Sequence, residues 1–244
     1  TGLKRLLLDG DGYVTANKNL LPPALTELIV RDKKFFSLEN HVQPLLSKEL
    51  RQSLRKVHIT NEENHSPLPV DVEGGVYANL RELRCCMSYA AGSFSHDFAL
   101  LMTTPISSAL FPNLRVLHVQ GMTEVHGGYE IDFRHLNVLE ELHIETYADT
   151  PYHIETGPCW KVGAIHVPNS LRILTTNLQS LRQVQPLLFL TTIIVTDNEQ
   201  PPVSLLGRNK SIFLEPMDRA ILDRGPSYVR EIAPACTKFG FSFS

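Results

Sequence analysis

Apolar residues recur along this chain in a short frame whose positions 1, 4 and 6 are aliphatic and whose intervening positions are mostly polar. The frame is clearest at Leu114, Leu117 and Val119, and again at Leu139, Leu142 and Ile144. Such alternation is the signature of a strand with one buried face. It also fits with first positions at Leu3, Leu25, Leu54, Leu80, Leu171 and Leu190, the steps averaging about 27 residues, which predicts a repeat array. Between strands, Leu38, Val42, Leu45, Leu46, Leu50 and Leu54 have helical spacing with Pro44 as a break, and Phe94, Phe98, Leu101 and Met102 predict a second helix. Segments 61–75, 120–132 and 147–167 read as loops. A strand is expected at 211–214, a helix over 218–233 interrupted near Gly225 and Pro226, and a last strand at Phe239 to Phe243.

On the eight L-x-x-L-x-L frames between Leu3 and Val195, the chain resembles a leucine-rich-repeat protein of irregular type. It lacks the Asn or Cys that regular repeats place after the strand, and it has Thr176 where the frame asks for an apolar residue. Pro22-Pro23-Ala24-Leu25 and Pro168-Asn169-Ser170-Leu171 are similar to the proline-led units of some leucine-rich and FNIP-type repeats. The resemblance implies an α/β fold: a solenoid, or horseshoe, with one parallel sheet on the concave face and helices or loops on the convex face. Residues 1–196 would form the array, and 197–244 a C-terminal repeat or cap of the same domain.

In such a sheet positions 1, 4 and 6 face the core, so positions 3, 5 and 7 line the opposite face. Position 5 reads Leu7, Ile29, His58, Arg84, His118, His143, Thr175 and Ile194; position 3 includes Glu82 and Glu141. The middle of the face is therefore polar and histidine-rich, with Leu7, Ile29, Ile173 and Ile194 as exposed aliphatics toward the ends. The expected partner-binding surface is Arg84, His118, His143, Glu141, His58 and Glu82. The long loop adds Tyr152 and Trp160, the only tryptophan, at its rim. His118 and His143 should lie roughly 5 Å apart on neighbouring strands. A metal would need a third ligand such as Glu141 or Glu145, and a polar contact surface is the better account, so neither metal nor cofactor is expected.

Composition narrows the function classes. A net charge of −3 and a sequence pI near 6.3 argue against a dedicated nucleic-acid binder. No run of about 18 uninterrupted apolar residues is present, so no membrane span is expected. Cys85, Cys86, Cys159 and Cys236 have no paired spacing and read as thiols of a reduced, intracellular compartment, cytoplasm or nucleus. The sequons at Asn64 and Asn209 keep a secreted repeat protein as an alternative. The chain starts at Thr1 and enters a strand almost at once, whereas repeat arrays carry terminal caps, so a preceding segment is expected.

One motif points to chemistry. Asp9-Gly10-Asp11-Gly12 after an apolar strand looks like the nucleophile motif of haloacid-dehalogenase-type phosphatases. That family's Thr two places after the second Asp is Tyr13 here, and the rest of its metal site has no counterpart, which leaves a Gly/Asp turn. No G-x-S-x-G, P-loop, H-E-x-x-H or zinc-spaced Cys pair occurs. The expected function is a non-enzymatic interaction scaffold or adaptor for another protein. Substrate recognition in an F-box-type ubiquitin ligase, with the ligase adaptor held by the segment before Thr1, is one form of it; a phosphatase using Asp9 and Asp11 is the alternative.

Overall fold

The computed structural model describes residues 2–9, 21–31, 46–61, 75–87, 104–123, 130–147, 164–177, 181, 183–197 and 224–243. Among them the strands are β1 (Arg5–Asp9), β2 (Glu27–Arg31), β3 (Lys56–Asn61), β4 (Glu82–Met87), β5 (Val116–Thr123), β6 (Ile131–Asp132), β7 (Glu141–Tyr147), β8 (Ile165–His166), β9 (Ile173–Thr176), β10 (Val184–Gln185), β11 (Thr192–Asp197) and β12 (Lys238–Phe243). Three short helices accompany them: α1 (Lys48–Ser53), α2 (Ile106–Leu110) and α3 (Pro226–Ile232).

Nine strands form one sheet in the order β1-β2-β3-β4-β5-β7-β9-β11-β12, and a smaller sheet has the order β10-β8-β6. Every pairing among the described residues is parallel. Spatial order therefore follows chain order, with each frame beside the next. The register is in phase with the hydrophobic frame: Leu28, Val57, Leu83, Leu117, Leu142, Leu174 and Ile193 are successive partners, and each is fully buried. A slip of one residue would turn this row toward solvent, so burial itself fixes the register.

A repeated turn precedes the strands. The position-1 amide donates to the carbonyl three residues earlier in Leu25→Pro22, Leu80→Tyr77, Leu114→Phe111, Leu139→Leu136, Leu171→Pro168, Leu190→Leu187 and Cys236→Ala233, at 2.9–3.2 Å. Pro22 and Pro168 thus hold equivalent places, each supplying the carbonyl that accepts the position-1 amide. The position-2 carbonyl then accepts two amides from the following frame, as Arg55 does from Arg81 and Glu82 at 2.9 and 3.1 Å. Side chains reinforce the turns: Ser53 and Ser170 hydroxyls donate to the carbonyls of Leu25 and Leu139, and the Asn79 and Asn113 amides to those of Gln52 and Ala78.

The core is continuous from Leu25 to Cys236 and includes Tyr77 stacked on Phe111, with ring centroids 5.2 Å apart. Where those rings open their turns, the preceding frame has Arg51, almost completely buried. Its guanidinium lies 5.5 Å from the Tyr77 ring and donates to the carbonyls of Leu46 and Gly75. Gly75 itself has φ +100°, and an added Cβ would meet Lys48 at 3.0 Å, so glycine is required there.

Several expectations change. Residues 120–123, read as loop because of Gly121, belong to β5: one extra residue there forms a bulge, and pairing resumes at Met122 with Thr146. The two-residue strands β6 and β8 lie inside or next to segments read as loops, and β10 was not foreseen. Ile29, expected to be exposed, is buried between Leu7 and His58 in its column, whereas Leu7 is exposed. Of the helix expected over 38–54, the described part is α1, whose N-cap Ser47 accepts a hydrogen bond from the Leu50 amide. The helix expected at 94–102 and the strand at 211–214 lie outside the described residues, while α3 begins at the anticipated Gly225-Pro226 break.

Thr176 pairs with Ile144 and Val195 in a core row, is fully buried, and its hydroxyl has no hydrogen-bond partner among the described residues. Valine is nearly isosteric and removes the desolvated hydroxyl. Thr176→Val is expected to raise the unfolding free energy by about 1 kcal/mol in chemical denaturation, and a loss of stability would refute this account of the site.

Candidate binding surface

Six of the residues expected at the surface come together on the large sheet. The register aligns Lys56, Glu82, Val116 and Glu141 in one row, and His58, Arg84, His118 and His143 in the next. Alternation along each strand puts both rows on the face opposite the buried leucines. Tyr152 and Trp160 lie outside the described residues, as do Asp11 and the Asp9 side chain.

Glu82 is the hub. Its Oε1 accepts hydrogen bonds from His58 Nε2 at 2.9 Å and Arg84 Nε at 2.7 Å, and its Oε2 lies 2.9 Å from Lys56 Nζ. An ionised carboxylate only accepts, so Nε2 of His58 carries the proton. The Glu82 side chain is 12% exposed, against 51% for Lys56 and 43% for Arg84. Partial burial alone would raise its pKa. Hydrogen bonds from Lys56 and His58, with the attraction of Arg84 and Lys56, outweigh that and hold it down at about 2. Lys56 was not among the expected site residues, although its place beside Glu82 follows from the shared frame.

One strand on, the imidazoles of His118 and His143 stack with centroids 3.6 Å apart and planes 13° from parallel. This is closer than the expected strand spacing, because the rings pack face to face instead of standing apart. Glu141 lies in the adjacent row of β7, half-buried. The described residues contain no group of three or more His, Cys, Asp or Glu side chains placed to hold a metal ion.

A second polar cluster, not anticipated, lies at the small sheet. Asp132 accepts from the Arg134 amide at 2.9 Å and from its guanidinium at 2.9 and 2.7 Å. Those bonds hold its pKa at about 2 against the opposing effect of burial. His166, the β8 partner of Asp132, has Nε2 3.3 Å from Glu130. The D-x-R spacing at an Asx turn was the available sequence signal.

No helix among the described residues is long and apolar enough to cross a membrane. The chain matches no known family model, no curated protein and no solved structure.

Proposed function

We propose that the chain is a leucine-rich-repeat solenoid acting as a non-enzymatic scaffold or adaptor, which binds another protein through the open face of its large sheet. The observation that carries this reading is the shared register of β3, β4, β5 and β7 through positions 3 to 5, which brings a preorganised charged hub and a histidine stack into adjacent rows. Recognition surfaces gain affinity from polar groups already held in place, because less ordering entropy is lost on binding. The hub also suits recognition better than proton transfer. A general acid or base works best with a pKa near the operating pH, whereas Glu82 is held at about 2.

A photo-crosslinking residue at Thr175, next to His143 in its column, retrieves the partner, whose affinity is then measured. Replacing both Arg84 and His143 with Ala is expected to weaken binding by about 1 kcal/mol or more while stability changes little, since substitutions on exposed faces cost on the order of 0.5 kcal/mol. Undiminished binding in that double variant, with loss on Leu7→Asp, would transfer the site to the β1 end of the sheet.

A further inference from the structure

The residues just before each strand of the large sheet form a row of their own, which the open-face columns do not use. In successive frames position 2 is Lys4, Thr26, Arg55, Arg81, Arg115, Glu140, Arg172, Thr191 and Thr237. The carbonyl ladder fixes their spacing. Arg55 O accepts the Arg81 amide at 2.9 Å, Arg81 O the Arg115 amide at 2.9 Å, and Arg115 O the Glu140 amide at 2.8 Å. Arg55, Arg81 and Arg115 are all exposed, and at the strand spacing of about 4.8 Å their backbones span roughly 10 Å.

Their charges are largely uncommitted. Arg55 and Arg81 enter no ion pair among the described residues. Among the described residues Arg115 pairs only with Glu140, at 2.8 Å, with both side chains more than half exposed, a pair that an incoming carboxylate can displace. The turn residues beside them, Ser53, Asn79 and Asn113, are uncharged and have their side chains turned back onto backbone carbonyls.

We infer that the arginine row Arg55, Arg81 and Arg115 is a docking rim for a short acidic run in an extended segment of another protein. The inference rests on the open-face reading and extends it to the partner's chemistry. Length and surroundings favour a polypeptide over a nucleic acid. Three residues of extended chain cover about 10 Å, the length of the row before Glu140 interrupts it. Glu82 and Glu141 occupy the neighbouring position-3 row, and the chain carries a net charge of −3. A longer polyanion would therefore run into Glu140 along the row and lie beside the carboxylates of Glu82 and Glu141, while guanidinium forks suit isolated carboxylates well.

The test uses the whole chain and a fluorescein-labelled peptide with a run of about five glutamates, compared with its glutamine counterpart and with single-stranded oligothymidylate. By anisotropy in low salt, the glutamine peptide is expected to bind at least tenfold more weakly. Arg55→Glu with Arg81→Glu should weaken glutamate-peptide binding at least tenfold, and Arg55→Gln with Arg81→Gln should reproduce most of the loss. Arg230→Glu with Lys238→Glu, an equal charge change at the far end of the sheet, should leave it unchanged. Equal loss from the distal pair, equal affinity for the glutamine peptide, or no peptide binding would overturn the inference. Tighter, rim-dependent binding of the oligonucleotide would overturn the choice of a polypeptide. Failure of the rim leaves the open-face reading standing if the crosslinked partner still depends on Arg84 and His143.

Discussion

Leu83→Ala is expected to cost about 3 kcal/mol of unfolding free energy, and Arg84→Ala, one residue further along the same strand, under about 1 kcal/mol. Leu83 is completely buried, between Val57 and Leu117 in its row. Truncation there removes three carbon atoms from a packed core and leaves a cavity that two flanking strands, held by backbone hydrogen bonds, cannot close. Arg84 points to the other face, is 43% exposed, and surrenders one of the three side-chain contacts to Glu82. Urea denaturation of both variants checks the pair. Comparable costs would mean that the register is wrong, since a one-residue slip exchanges the environments of these two side chains.

Acid should expose the Glu82 hub. Its folded pKa is depressed, so the stability it contributes is fully present above the ordinary carboxyl value of 4.5 and is lost as pH falls toward about 2. A displacement of that size corresponds by linkage to about 3 kcal/mol. Because Lys56 and Arg84 are about half exposed, solvent screening reduces this to roughly 2 kcal/mol. Wild type and Glu82→Gln should therefore differ by about that amount near neutrality and converge near pH 2. A gap that stays constant from pH 6 to pH 2 would show that Glu82 gains nothing from its ionised form. Asp132, also held at about 2, remains in both proteins and cancels in the difference.

The strands were legible because one apolar frame recurs and because burial leaves little choice of register. The row Leu28, Val57, Leu83, Leu117 and Leu142 could be written from spacing alone, and with it the rows of Glu82, Arg84, His118 and His143 on the other face. Spacing could not supply what side chains do once placed there. That Lys56 completes the Glu82 hub, or that two histidines stack at 3.6 Å, depends on rotamers and local packing. The small sheet was missed for a different reason. Two-residue strands such as Ile131–Asp132 and Ile165–His166 carry no periodicity, and their pairing is imposed by frames already stacked beside them. Ile29 shows the limit of a columnar argument, since a side chain on the polar face is buried when its neighbours in the column are long enough to cover it.

Because the large sheet follows chain order, tension applied at its two ends acts across the strands and not along them. Each edge strand would then be peeled away in turn, its hydrogen bonds opening one after another, and the next strand would become the edge. Mechanical rupture of this kind is gentle and stepwise. The steps would release frames of unequal length, averaging about 27 residues between Leu3 and Leu190, or roughly 90 Å of extended chain each. The same geometry that presents a continuous face to a partner thus makes the molecule strong against slippage along its strands and yielding along its stacking axis.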